Sequence, residues 1–441
     1  MITQNKIQRK FVYNGLRRNK ELAVDMGYAL TKSELRSFNL FCFGLMTYTV
    51  GYAPTMCTVK AISGSALQGI QIAGLVILFS GFFGLVKFQL EDKYIENVLK
   101  ALLVYGLVVV ARGIKFDVDS LKTVVFDPDY TIFVYLVPMV LLFPRKLELY
   151  KRLFYFLNLY GVLFLVFCAI FWDILLMPDW RNWEAQYDMD CFFLYFAFPA
   201  IFNLFFYVFQ KKQRNIFLFI VTLLSVYLTI YRARRGAILM NVTALLGILM
   251  VYLIYTKRTF WIIFLSVFFT LFMSVFMSNV KLPSMFDNLQ QRGDDDTRTG
   301  VELAMKADMN PVQWVFGKGL GGTYYCPLIV DDPNNITFQR RVIETGYLQI
   351  ILNGGILYLA LLGMILFPAV YKGLLKSHNA FTKGAAIFIL LWIFYQYPRI
   401  VTGFNMYYIE IWIAAGICLS EKIRNMSDDT IKAYLNRSVN R

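Results

Sequence analysis

The chain has 441 residues, of which 58% are hydrophobic, 17% aromatic and 17% charged, and its mean hydropathy is +0.53. Soluble globular domains typically have about 45–50% apolar and about 25% charged residues, so this composition excludes a cytosolic enzyme, a nucleic-acid-binding module and a disordered chain. The formal net charge of +15 does not require a nucleic acid partner, because lysine and arginine collect in the cytoplasmic loops of membrane proteins.

Apolar stretches long enough to cross a bilayer recur along the whole chain, after a polar and basic N-terminal segment without the features of a cleavable signal peptide. We predict twelve transmembrane helices near residues 38–57, 63–86, 98–112, 131–143, 153–177, 192–209, 215–231, 236–255, 259–278, 346–371, 384–397 and 406–420. The predicted fold is therefore an all-α integral membrane bundle. Its regions are an N-terminal segment (1–37), helices one to nine (38–278), a large loop (279–345), helices ten to twelve (346–420) and a tail (421–441).

The basic residues orient these helices. Every second gap between predicted helices carries lysine or arginine, as at Arg145, Lys146 and Lys211, whereas the other gaps are mixed or acidic. By the positive-inside rule, we expect both termini to be cytoplasmic and the large loop between helices nine and ten to lie outside.

One predicted outer gap breaks the charge pattern. Arg232, Arg234 and Arg235 lie between the seventh and eighth helices, where basic residues are not expected. They extend to the lipid headgroups as a structural feature, or the predicted topology is wrong at this point, or they form an anion-binding site. Arginine favours the second role because its planar guanidinium group binds phosphate oxygens in a bidentate manner.

The large loop carries three polar motifs. Asp294–Asp296, followed by Arg298, form either a solvated acidic run or a cation site, and a short amphipathic helix is predicted directly after them. The glycines between Gly317 and Gly322 form either a tight turn or a phosphate-binding loop. Beside Arg340 and Arg341, Glu344 is either an ordinary ion-pair partner or a general base.

Other classes of site find little support. The six cysteines have no metal-ligand spacing, and the single histidine, His378, lies in a predicted inner loop, so no histidine base is expected outside.

Charges within the predicted spans are sparse, with Asp173 near an outer end and Glu410 inside helix twelve. Transporters driven by protons or sodium usually have several such groups near the midplane, so this pattern favours chemistry at the outer surface.

Three motifs in residues 215–371 resemble the superfamily of bacterial O-antigen polymerases and O-antigen ligases. Residues 234–237 (Arg-Arg-Gly-Ala) are similar to its Ser-Arg-Gly-Ala step, and Arg298 with Pro311 and the following glycines is similar to the start of its periplasmic loop. Residues 344–348, with Gly355 and Tyr358 after them, match the spacing of the ligase His-Asn motif. Glu344 replaces the catalytic histidine of the ligases, and this departure favours a polymerase. The first half of the chain resembles the family only in topology.

The resemblance implies a GT-C-like bundle in the bacterial cytoplasmic membrane, with its active site facing outside. The implied activity is polymerisation of undecaprenyl-pyrophosphate-linked repeat units into O-antigen, capsule or exopolysaccharide, by a metal-independent inverting glycosyltransferase without a cofactor. Alternatives are an O-antigen ligase or, in another class, a flippase or other transporter of lipid-linked oligosaccharide. Besides membrane lipids, a repeat-unit flippase and a chain-length regulator are the expected partners.

Within this implied mechanism, the residues have specific roles. Arg235 and Arg298 are expected to bind the pyrophosphate and stabilise its developing charge, and Glu344 is the candidate base or hydroxyl-orienting group. Further candidates are the pyrophosphate-binding residues Arg232, Arg234, Arg340 and Arg341 and the glycan-stacking residues Tyr324, Tyr325 and Tyr347.

Overall fold

A computed structural model describes residues 29–56, 63–114, 116–177, 182–258, 298–328 and 337–437. These residues are mostly helical, and the sheet found among them consists of two short antiparallel strands. The α-helices are α1 Lys32–Met56, α2 Gly64–Phe82, α3 Lys93–Gly113, α4 Val118–Phe126, α5 Leu147–Ile170, α6 Trp172–Leu175, α7 Trp183–Phe192, α8 Phe198–Phe202, α9 Lys212–Tyr231, α10 Arg235–Tyr255, α11 Arg298–Asp308, α12 Pro311–Phe316, α13 Gly346–Leu375, α14 Ala380–Tyr395, α15 Met406–Leu419, α16 Glu421–Arg424 and α17 Asp428–Asn436. The strands are β1 Tyr324–Tyr325 and β2 Gln339–Arg340.

Helical segments overlap eleven of the twelve predicted spans, and the remaining span, 259–278, lies outside the described residues. Seven helices of the described part are long and apolar enough to cross a membrane: α2, α3, α5, the segment Ala185–Phe209, α9, α10 and α13. An all-α, multi-pass membrane protein is therefore confirmed, and the number of twelve spans stays a prediction.

Two predicted spans depart from regular α-helix. The fourth is a 3-10 helix, Ile132–Leu142, which contains Pro138 and is largely buried. The sixth continues from α7 through a π-helical turn, Phe193–Ala197, into α8 and a second 3-10 helix, Asn203–Phe209. These segments are rich in aromatic side chains that pack around the centre of the bundle.

Polar side chains set where several helices begin. Ser63, Asp92, Asn379 and Asn405 each accept hydrogen bonds from backbone amides in the first turn of α2, α3, α14 and α15. Such caps satisfy amide groups that have no partner within the helix. The chain therefore marks these helix starts locally, before any packing between helices.

Two groups of ion pairs among the described residues join different elements at one end of the bundle. Glu34 contacts Lys87 and Lys146 at 2.6 and 2.8 Å, and Asp92 contacts Lys372 at 2.6 Å. We call this the Glu34 end, and it gathers loops that the charge pattern assigns to the inside. The opposite end, which we call the Asp190 end, gathers loops assigned to the outside.

Helix α13 is interrupted at Gly355, which has a φ of +70° in the left-handed region. Such a break leaves carbonyl groups of the preceding turn in need of other partners, above all in an apolar setting. Lys318 N donates to the carbonyl of Leu352 at 2.7 Å, and Gly319 N donates to that of Asn353 at 2.9 Å. The turn at residues 317–322 thus supplies the hydrogen-bond donors that the carbonyl groups before the interruption of α13 need.

This pairing decides between the two interpretations of the glycine-rich turn. The amides of Gly317, Leu320 and Gly322 also donate to carbonyl groups, at 2.7 to 3.0 Å. Arg112 donates to the carbonyls of Phe316 and Gly317 at 2.8 Å each. Because these amides already have backbone acceptors, the segment is a tight turn and not a phosphate-binding loop.

Substitution of Gly355 by alanine should destabilise the protein. A Cβ atom there would lie 2.1 Å from the carbonyl oxygen of Val315, in a conformation that favours glycine. We expect G355A to lose at least about 2 kcal/mol of unfolding free energy, seen as a lower melting temperature in detergent. The matched variant G69A, where nothing lies within 4 Å of the new Cβ, should be neutral or slightly stabilising. Equal melting of G355A and the parent protein would contradict this role.

The ion pairs of Glu34 with Lys87 and Lys146 should make the unfolding free energy depend on pH. Burial by itself raises the pKa of the Glu34 carboxyl, but hydrogen bonds from Lys146 and Lys87 outweigh it and lower the pKa from 4.5 to about 2. A carboxyl group whose pKa is lowered in the folded state stabilises the fold at pH values above its pKa in the unfolded chain. This contribution is lost as the pH falls towards 2.

We therefore expect E34Q to melt below the parent protein at pH 7, by the equivalent of roughly 2 kcal/mol after allowance for the exposed Lys87. The difference should shrink as the pH falls from 4.5 towards 2, measured by thermal melting of both proteins across a pH series. A difference that stays constant over that range would refute the role of the Glu34 charge.

Candidate functional site

The turn between α9 and α10 lies at the Asp190 end and carries Arg232, Arg234 and Arg235, which we call the arginine cluster. Ala233 has a φ of +51°, which reverses the chain sharply between Arg232 and Arg234. The Arg232 side chain is fully buried, and it donates from Nε to the carbonyl of Leu175 at 2.7 Å and from Nη2 to that of Ile174 at 2.5 Å. We therefore assign Arg232 a structural role, as an anchor for α6, in place of the predicted pyrophosphate contact.

Asp190, on α7, joins two arginines that are far apart in the chain. Its carboxylate forms an ion pair with Arg234 and a second one with Arg399, whose Nη1 lies 3.0 Å from Oδ1. Arg234 also donates to the side-chain oxygen of Gln186 at 3.2 Å. Because the Asp190 side chain is only 8% exposed, each arginine reduces the cost of burying that charge.

Arg298 and the start of α10 meet at one backbone group, the carbonyl of Pro398. Arg298 donates from Nη2 to this oxygen at 2.8 Å and from Nε to Oε2 of Glu344 at 3.1 Å. A Cβ atom on Gly236, next to Arg235, would lie 3.4 Å from the same Pro398 oxygen. Arg298 and the residue next to Arg235 therefore adjoin one loop, Gln396–Asn405. Arg298 and Arg235 are two of the predicted pyrophosphate-binding residues.

The Arg298–Glu344 pair remains open to solvent. The two side chains are 43% and 45% exposed. Screening makes such a pair weak, so a ligand with higher charge density can exchange for the carboxylate at small cost. Glu344 can accordingly hold Arg298 in place and still release it to an anion.

The remaining predicted residues divide into buried and accessible positions. Tyr324 is fully buried and donates to the carbonyl of Val342 at 2.7 Å, so we assign it a structural role in place of the predicted sugar contact. Arg340 is almost buried and pairs with Tyr324 in the two-stranded sheet. Arg341 and Tyr325 are exposed, and Tyr347 is partly exposed.

The charged motif around Asp294–Asp296 lies outside the described residues. The predicted amphipathic helix after it is confirmed as α11, which buries Val301 and Met305, four residues apart on one face. Glu302, on α11, accepts a hydrogen bond from the hydroxyl of Thr345 beside Glu344. This contact fixes the start of α13 relative to Arg298.

Besides Asp190, two further carboxylates of this region, those of Asp127 and Asp129, were not among the predicted site residues. Asp127 accepts a hydrogen bond from the backbone amide of Asp129 at 2.9 Å. The hydroxyl of Tyr195 lies 3.4 Å from Oδ1 of Asp129. Desolvation by the surrounding protein and then the charge of Asp127 raise the pKa of the Asp129 carboxyl, against the opposing charge of Arg399. The Asp129 side chain is nevertheless exposed to solvent.

A signal for Arg399 was available in the sequence. It lies between the predicted helices eleven and twelve, in an outer gap, and so breaks the positive-inside pattern just as Arg232, Arg234 and Arg235 do. Asp129 and Asp190 offered no such signal, because acidic residues are expected in outer loops. Their importance follows only from their contacts with distant residues.

Comparison of the chain with protein-family models, with curated proteins and with solved structures gives no match. The chemistry of the Asp190 end is therefore the basis for the function proposed below.

Replacement of Asp190 by asparagine should leave Arg234 and Arg399 without their shared counter-charge in a partly buried site. We expect D190N to lose roughly 2–4 kcal/mol of unfolding free energy, measured by thermal or denaturant unfolding in detergent. The matched control E96Q removes the carboxylate from an exposed pair with Lys100 and should lower the melting temperature much less than D190N does. Similar losses in both variants would show that the Asp190 ion pairs contribute no more to stability than an exposed ion pair does.

Proposed function

We propose that the chain is a polysaccharide polymerase that joins oligosaccharide repeat units carried on undecaprenyl pyrophosphate. The observation that carries this proposal is the meeting of Arg298 and the Arg235–Gly236 turn at the carbonyl of Pro398. Arg399 belongs to the same loop as Pro398, and Arg234 is linked to it through their shared partner Asp190. Several guanidinium groups around one accessible region form the kind of site that a diphosphate requires.

In the proposed reaction, a hydroxyl of the acceptor sugar attacks the anomeric carbon of the donor glycan from the face opposite the lipid diphosphate. The bond from that carbon to the diphosphate breaks, its electrons leave with the diphosphate, and the configuration inverts. Arg235 and Arg298 would stabilise the charge that develops on the leaving group. Loss of one preorganised donor of this kind costs about 3–4 kcal/mol in comparable anion-stabilising sites.

Glu344 has a place in this scheme through its contact with Arg298. When Arg298 turns to the diphosphate, its ion pair with Glu344 is released, and the carboxylate becomes available to orient a sugar hydroxyl. Tyr325 and Tyr347, both accessible, are the candidates for stacking on sugar rings. Arg340 and Arg341 would contribute positive charge on the same side of the loop.

The proposed setting is the bacterial cytoplasmic membrane, with the Asp190 end facing outside. Basic residues at the Glu34 end support this orientation through the positive-inside rule. The product would be an O-antigen, a capsule or an exopolysaccharide, with a repeat-unit flippase and a chain-length regulator as partners. Ligation of glycan to a different acceptor is the alternative within this enzyme class.

A transporter is the alternative in another class, and the broken helix α13 is the observation that favours it. Interrupted helices in transporters expose carbonyl groups that coordinate ions. Here the carbonyls of Leu352, Asn353 and Gly354 already accept hydrogen bonds from Lys318 N, Gly319 N and the Tyr105 hydroxyl. The break therefore offers little to an ion, and the polymerase is the better-supported proposal.

The variants R235A and R298A should abolish chain growth. Both remove a proposed diphosphate ligand, and a loss of 3–4 kcal/mol in transition-state stabilisation corresponds to a rate about 100- to 1000-fold lower. The measurement is the length distribution of surface glycan on gels, from a deletion strain that carries each variant. R36A, at an exposed arginine on α1 near the Glu34 end, is the matched control and should give the parental pattern. Long glycan from either R235A or R298A, at normal protein level, would remove that residue from the site.

A further inference from the structure

A small cavity, lined mostly by apolar atoms, lies beside the loop that carries Arg399. It has a volume of about 40 Å³ and lies between the 3-10 helix Ile132–Leu142, the start of α13 and the loop after α14. Its polar lining comes from Asp129, Gln349, Asn353, Tyr358 and Thr402. Thr402 belongs to the loop Gln396–Asn405, which also carries Pro398 and Arg399, so the cavity and the arginines share one wall.

Three polar atoms of the lining residues have no hydrogen-bond partner among the described residues. They are Nε2 of Gln349, Oδ1 of Asn353 and the hydroxyl of Tyr358. Gln349 is 7% exposed and Tyr358 only 3%. Each unsatisfied buried polar group costs about 1–3 kcal/mol, so three of them at one cavity indicate a partner from outside the chain.

The chemistry of these atoms selects the kind of partner. Oε1 of Gln349 accepts a hydrogen bond from the amide of Ile343 at 2.8 Å, and this contact leaves Nε2 as the donor that still needs a partner. Asn353 presents an acceptor, and the Tyr358 hydroxyl can act either way. A metal cation would be repelled by the donor, and an anion by the acceptor and by Asp129. A hydroxyl group, which both donates and accepts, satisfies all of them.

The size of the cavity limits what enters it. One water molecule takes up about 30 Å³ in the liquid, so this space holds one or two hydroxyl-sized groups and not a whole sugar ring. The ring itself must stay outside this space, and Tyr130 and the exposed Asp129 are lining residues that it can contact. An aromatic ring, a carboxylate and side-chain amides together are well suited to a neutral sugar.

We propose that this cavity receives the hydroxyl-bearing edge of the acceptor sugar and that Asp129 takes the proton of the attacking hydroxyl. This inference rests on the proposed polymerase function and adds a second catalytic residue to it. The O–H bond breaks towards the Asp129 carboxylate, the oxygen bonds to the anomeric carbon, and the diphosphate leaves with the electron pair of the broken C–O bond. The raised pKa of Asp129 suits a group that must accept a proton.

The test uses the purified full chain in lipid nanodiscs and two probes from a strain that lacks the gene. One probe is the lipid-linked repeat oligosaccharide that accumulates there, and the other is the same oligosaccharide released from its lipid and labelled. Binding of the released oligosaccharide requires no transfer, and its incorporation into product gives kcat and the acceptor KM. Variants Q349L and D129N are compared with Q71L, which changes a buried glutamine of α2 that does not line the cavity.

We expect Q349L to bind the released oligosaccharide at least about tenfold more weakly and to raise the acceptor KM by the same factor, with the donor KM unchanged. D129N should bind it nearly normally but lower kcat at least about 100-fold, as expected when a general base is removed. Q71L should match the parent protein in binding and rate.

The possible failures are distinguishable. Parental binding by Q349L, in a protein that melts normally, would overturn the cavity as the acceptor site even if the enzyme polymerises. Parental kcat in D129N would overturn Asp129 as the proton acceptor. If the parent protein binds the oligosaccharide through Gln349 but transfers nothing, the sugar site stands and the polymerase function fails.

Discussion

The carboxylate of Asp190 holds two guanidinium groups that come from opposite parts of the chain, and the architecture of the site depends on this contact. Arg234 follows α9, whereas Arg399 follows α14, and the connection through Asp190 places both beside the same loop. Two like charges in a partly buried region would otherwise repel each other. With one shared counter-charge they stay together, and the loop Gln396–Asn405, which contains Arg399, is held by this contact and by the hydrogen bond from Arg298 to the Pro398 carbonyl.

The rest of the Asp190 end supports this loop from the other side. The tight turn at Gly317–Gly322 completes the interrupted helix α13, and α13 in turn brings Glu344, Gln349 and Asn353 to the same region. The interruption is thus a positioning device, because it lets the start of α13 diverge from its longer second part.

Much of the fold could be predicted from the sequence, because long apolar segments and basic gaps are local signals. The positions of α2, α5, α9, α10 and α13 follow from hydropathy alone. The interruption at Gly355 could not be predicted, since it depends on partners some 35 residues earlier in the chain, in the turn that begins at Gly317.

The residues of the candidate site likewise could be predicted from the sequence only in part. Arg235, Arg298 and Glu344 were predicted from short motifs, and Arg298 contacts both Glu344 and the carbonyl of Pro398, which the turn at Arg235–Gly236 also adjoins. Arg232 and Tyr324 looked equally suitable in the sequence, but their burial decides for a structural role, and burial has no local signature in an arginine or a tyrosine. Asp129, Asp190 and Arg399 acquire their meaning only from contacts between distant segments.

The central claim is that the guanidinium groups of the Asp190 end act on a lipid-linked diphosphate glycan at the outer face. The most direct measurement is chain extension by the purified protein in liposomes, with lipid-linked repeat oligosaccharide in the leaflet that the Asp190 end faces and without nucleotide sugar. The account predicts a ladder of products that grow by whole repeat units, together with release of the lipid diphosphate. Movement of the intact lipid-linked oligosaccharide to the other leaflet, with no extension, would contradict it.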